Sequence, residues 1–235
     1  MTIALCFSGQ ARSFKQGYEY YARNLLNGND VDVFIHTWEF DGVDELIDLY
    51  QPKAFRVDPP LEGDFDSKYT NSAPDRKKWP PRNVVSSYYS IFQSCLMKID
   101  EEIRNKRYDW VIKSRTDFAL NGTIPFRDLD PDKLYIPNCR MVPTRDFGND
   151  QFAVGSSMVM NKYMSTYWNL DTYYKAGHAM IGEDMMRANL HEHGLVGDKL
   201  VYVDMNHPFP PGPHNGTPHS LIRDDYETWT NSSKN

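Results

Sequence analysis

Short apolar runs alternate along this chain with longer stretches in which apolar residues recur every third or fourth position, and that alternation predicts strands interleaved with helices. The first run, 2–7 (TIALCF), is broken by Ser8, Gly9 and Gln10. A helix over 16–26 puts Tyr20, Tyr21, Leu25 and Leu26 near one face, and Gly28 follows as its stop. A second strand is expected at 32–38 (DVFIHTW), a short helix at 43–50 and a third strand at 54–57. The clearest helix is 83–107, where Val84, Tyr88, Ile91, Phe92, Cys95, Leu96, Ile99 and Ile103 keep the helical period. It leads into YDWVIKSRTDFAL (108–120), a buried strand running into a polar cluster. Further strands are expected at 133–137, 151–154 and 200–203, with helices at 157–170 and 182–193. The expected fold class is α/β, a single Rossmann-like domain with a mainly parallel central sheet flanked by helices.

Three stretches lack any period. Residues 61–82 are rich in Asp, Lys and Pro, and a loop of that length inside a compact domain is expected to be a mobile lid. Residues 140–149 form a second polar loop, and the chain beyond Met205 is rich in Pro, Gly and His. One domain over 1–205 with an arm over 206–235 is the expected organisation.

Composition narrows the class. Of 235 residues 14% are aromatic, and such rings suit sugar or base stacking as well as cores. A net charge of −6 argues against a nucleic-acid binder. Cys6, Cys95 and Cys139 are too few and too scattered for a disulfide framework or a zinc site, which points to reduced thiols. No apolar run approaches the roughly 20 residues that span a bilayer, and the first strand turns polar too soon for a signal peptide. A cytoplasmic location without a transmembrane segment is therefore expected.

Polar residues collect where strands end: Ser8 to Arg12, His36 to Trp38, and Arg115 to Asp117. In open α/β sheets ligands bind at the carboxyl ends of strands, so a carboxylate there faces a cation or a substrate. A structural Arg115–Asp117 ion pair accounts for the same residues equally well.

The three strand ends together resemble the donor site of nucleotide-sugar glycosyltransferases of the GT-A fold, above all small viral and bacterial members with openings like CFSGQARSF. The resemblance implies a GT-A-like catalytic domain over 1–205 whose arm, 206–235, closes over the donor. Ser8, Gly9, Gln10, Arg12, Arg115, Thr116 and Asp117 would then hold the donor, probed most simply as a UDP-sugar. The family's D-x-D motif is here Arg115-Thr116-Asp117, so only the last carboxylate matches. FAVGSSMVMN (152–161), Gly182-Glu183-Asp184 and His214-Asn215-Gly216-Thr217-Pro218-His219 follow in the order of the galactosyltransferase-like branch. That order implies Asp117 and His214 as ligands of Mn²⁺ or Mg²⁺, with His219 where the family's diphosphate-binding Lys stands.

Such a transfer needs the leaving diphosphate's charge neutralised, by a divalent cation or by Arg12 and Arg115. Inversion also needs a carboxylate base for a glycan hydroxyl; Asp184, or Glu183 beside it, is expected, with Asp150 in competition. Acidic residues are favoured at helix starts for electrostatic reasons alone. The competing functions are a catalytically silent carbohydrate- or nucleotide-binding domain, a nucleotidyltransferase, and an ATP pyrophosphatase, whose S-G-G-x-D-S loop is only partly matched by Ser8-Gly9-Gln10.

Overall fold

The computed structural model describes residues 1–70, 80–138 and 150–204. The His214 and His219 positions, the 206–235 arm, the 140–149 loop, Cys139 and part of the 61–82 stretch lie outside them.

Seven strands form one sheet in the order β3-β2-β1-β4-β6-β5-β7. They are β1 (Thr2–Ser8), β2 (Asp30–Trp38), β3 (Ala54–Asp58), β4 (Trp110–Ser114), β5 (Leu134–Asn138), β6 (Ala153–Gly155) and β7 (Leu200–Asp204). The sheet is mixed, where a mainly parallel one was expected. Strands β1 to β4 pair in parallel, as do β5 and β7, whereas β6 runs antiparallel to both β4 and β5.

The central strands are buried on both faces, which is why β1 reads as an unbroken apolar run. Alternation divides it: Ile3, Leu5 and Phe7 enter one core, Ala4 and Cys6 the other. The first core lies under α1 (Phe14–Tyr21) and α2 (Val43–Tyr50). After α3 (Phe65–Lys68), the second core is covered by α4 (Pro81–Arg104), α5 (Ser157–Met164), α6 (Leu170–Lys175) and α7 (Gly182–Glu192).

This layering follows from the handedness of parallel crossovers. Steps β1 to β2 to β3 move one way across the sheet. The step from β3 to β4 jumps back over β2 and β1, so its helix α4 must lie on the opposite face. A topological switch point results between the carboxyl ends of β1 and β4, where open α/β sheets leave a crevice.

Several boundaries differ from those expected. The first helix starts at Phe14 and ends in a wide turn, Ala22–Leu26. The long helix begins on Pro81, whose missing amide costs nothing at a helix start, and ends at Arg104. Its Ile103 is 77% exposed rather than core. A helix of this length spans roughly 36 Å, more than the roughly 10 to 30 Å of these strands, so an end overruns the sheet. The expected 157–170 helix breaks after Met164 into a 3-10 turn, Thr166–Asn169, before α6. The expected lid contains α3, whose Asp64 caps the Ser67 amide at 3.1 Å, and Lys68 and Tyr69 bond Asp171 of α6. Among the described residues no helix is long and apolar enough to cross a membrane.

Candidate functional site

The two sides of the switch point are tied together by hydroxyl groups and by a close backbone approach. The Thr116 hydroxyl donates to the Arg12 carbonyl at 3.2 Å, and Tyr21 meets the Ser114 hydroxyl at 2.5 Å from below. Gly17 of α1 lies so close that a Cβ there would stand 1.8 Å from the Thr116 oxygen. The RTD turn therefore rests directly on the α1 backbone.

Gly9 opens the facing loop at φ +98°, where L side chains are strained, and a Cβ on it would meet nothing within 4 Å. Its amide donates to the Ser90 hydroxyl of α4 at 2.6 Å. An amide can only donate and a carboxylate only accept, which fixes the remaining chain. His36 Nε2–H donates to Asp58 at 3.2 Å, and the Ser90 hydroxyl donates to Nδ1 at 2.7 Å. Burial lowers His36 below its ordinary pKa, the Asp58 carboxylate opposing, and the ring stays neutral. Burial alone would raise Asp58, but donors from Arg56, Tyr89 and His36 bring it down to about 2. This chain spans β3, β2, α4 and the β1 loop, and its task is to hold Gly9. Gln10 and Arg12, beyond it, are exposed.

Asp117 is fully buried, and Arg115 donates to both of its oxygens, Nε and Nη2 each at 2.7 Å. The ion-pair alternative is thus realised. Only two of the five guanidinium N–H groups are spent on Asp117, and Arg115 keeps 27% of its side chain exposed. A Mn²⁺ or Mg²⁺ ion on Asp117 would have to share the carboxylate with the Arg115 guanidinium or displace it. Among the described residues no group of three His, Cys, Asp or Glu is placed to hold a metal ion.

Lys113, which the sequence reading passed over, occupies the same strand end. It is 1% exposed and donates to the carbonyls of Asp150 and Gln151, the latter at 3.3 Å. Burial lowers its pKa to about 7, with Asp150 resisting. Its Asp150 neighbour brings the chain to α7: Asp150 Oδ2 lies 3.4 Å from where a Gly182 Cβ would be, at the positive end of that helix. Tyr88 of α4 donates to the Gly182 carbonyl at 2.5 Å.

The two acidic residues opening α7 differ in what they do. Asp184 accepts from the Ala179 amide at 2.7 Å and from Arg187 at 2.5 Å, with His178 at 3.5 Å. It closes its own helix start. Glu183 is half-buried as well, and burial raises its pKa, a backbone hydrogen bond opposing and repulsion from Asp150 adding to the rise. Asp150 is thus the group that Lys113, Arg115 and Glu183 share around the end of β4.

The Lys113 shift has a measurable consequence for stability. A lysine in the unfolded chain titrates near ~10.4. Between about pH 7 and that value the unfolded state binds a proton that the folded state has released, so stability rises with pH. Below about pH 7 both states are protonated and the full burial penalty applies. Urea denaturation at about pH 7.5 and 9.5 should show this gain in the native chain and a smaller one in Lys113→Met; equal gains would refute the assignment.

No known protein family and no curated protein matches this chain.

Proposed function

We propose that this protein transfers a sugar from a nucleoside-diphosphate donor, UDP-linked in the simplest case, to a glycan hydroxyl, on a GT-A-like domain. The observation that carries this reading is an open glycine loop and a partly exposed arginine at a topological switch point, with the half-buried Glu183 joined to them through Asp150, which acts on both Arg115 and Glu183. The glycine loop lets a diphosphate approach the backbone, and the outer N–H groups of Arg115 are suited to its oxygens. In the transfer the bond from the sugar's anomeric carbon to the diphosphate oxygen breaks, and the leaving charge falls to Arg115, with Arg12 within the same loop cluster. The acceptor oxygen forms the new bond and its proton passes to a carboxylate. Glu183 suits that base role better than Asp184, whose oxygens are taken, and its raised pKa makes it a stronger base than an ordinary glutamate.

UDP at 100 times its dissociation constant should add about 2.7 kcal/mol to the folded state. Glu183→Gln should keep that stabilisation while losing about 100-fold or more in sugar transfer. The reading fails if UDP, GDP and their sugars leave thermal stability unchanged, and Glu183 loses its role if the variant turns over normally. The closed Arg115–Asp117 pair favours, as a second reading, a domain that binds nucleotide without transferring; release of free sugar from a UDP-sugar separates the two.

A further inference from the structure

A row of five aromatic rings begins beside the crevice and leads away from it. Trp38, at the end of β2, stacks on Tyr89 of α4 at 5.7 Å between centroids. Tyr89 meets Tyr167 edge-on at 5.3 Å, Tyr167 stacks on Phe92 at 6.0 Å, and Phe92 meets Trp168 at 6.0 Å. None of the five is buried, and Trp168 is 76% exposed. Trp168 leaves its indole open to solvent at the far end of the row.

The row is continuous with the site. Tyr89 and Ser90 are consecutive on α4; the serine holds the Gly9 amide and the tyrosine carries the row. Hydrogen-bonding groups run along its first part: Tyr89 donates to Asp58 at 2.7 Å, and Arg56 donates to Gln93 at 3.0 Å and to Tyr89 at 3.2 Å. Partly exposed ring surface beside fixed polar groups matches a pyranose, which has C–H faces and a hydroxylated rim. Stacked bases would want a basic groove as well, and the chain carries a net charge of −6.

We infer that Trp38, Tyr89, Phe92, Tyr167 and Trp168 form a platform for a glycan chain of several sugar units, with its end presented to the crevice. As an acceptor platform it rests on the transferase reading, but as a glycan site it stands by itself. The test is titration of the full chain with cello-, chito-, malto- and laminari-hexaoses and with the matching disaccharides, followed by tryptophan fluorescence and calorimetry. At least one hexasaccharide should bind about tenfold more tightly than its disaccharide. Trp168→Ala, at an exposed position that leaves folding intact, should erase that gain while the thermal shift given by UDP stays the same.

Absence of binding by every hexasaccharide, survival of the length effect in Trp168→Ala, or tighter binding of a single-stranded oligonucleotide would each overturn the platform. A native chain that binds a hexasaccharide but no UDP refutes the transferase and leaves the platform standing. One that responds to UDP and to no glycan refutes the platform alone.

Discussion

Gly17→Ala should be among the most damaging single substitutions in this protein, although it adds one methyl group to a helix. That methyl would be placed 1.8 Å from the backbone oxygen of Thr116, and backbone cannot turn aside as a flexible side chain does. Overpacking of a core typically costs about 1 to 3 kcal/mol, and an overlap this deep belongs at or above the top of that range. Either α1 lifts from the sheet or the RTD turn moves, and the second outcome also displaces Arg115 and its partner. Gly9→Ala supplies the contrast, because its Cβ meets nothing and only the positive φ is penalised, at about 1 to 2 kcal/mol. Urea denaturation of the two variants ranks them; equal losses, or a Gly17→Ala protein of native stability, would show that the contact is not as tight as described.

Gly17 also marks where sequence reasoning stops. Strand and helix periods run within one segment, so β1, β2, α2 and the centre of α4 were legible within a residue or two. A glycine inside a helical pattern carries no local sign of what it touches a hundred residues away. Lys113 was given no role for a similar reason: one lysine in an apolar strand reads as its polar end, until the segment leading into β6 brings the Asp150 and Gln151 carbonyls to it. At the start of α7 two adjacent carboxylates were indistinguishable by pattern. They point about 100° apart around the helix, and only the fold decides that Glu183 lies within reach of Asp150's charge while Asp184 closes on Ala179 and Arg187. Ile103 kept the helical period and still faces water, since the period fixes a face but not where the sheet beneath it ends. The antiparallel direction of β6 had no signal either, because a three-residue strand is too short to show one.

Replacing Arg115 separates what the RTD turn does for folding from what it does for a ligand. Arg115→Met leaves the fully buried Asp117 carboxylate without the guanidinium that holds both of its oxygens. Removing one partner of a buried pair typically costs about 3 to 5 kcal/mol. Removing both charges is a different matter, since a buried ion pair replaced by apolar side chains of similar volume is often neutral or better. Arg115→Met with Asp117→Leu should therefore regain most of the stability lost by the single variant. It should not regain affinity for UDP, because the outer N–H groups of the guanidinium are gone. Asp117→Asn tests the other limb: it weakens the clamp on Arg115 yet keeps the cation, so UDP binding should persist without added metal. A double variant that binds UDP as tightly as the native chain would make the pair purely structural. An Asp117→Asn protein whose UDP binding is lost, and a native chain that needs Mn²⁺ for it, would return Asp117 to the ligand role its position in the D-x-D-like segment first suggested.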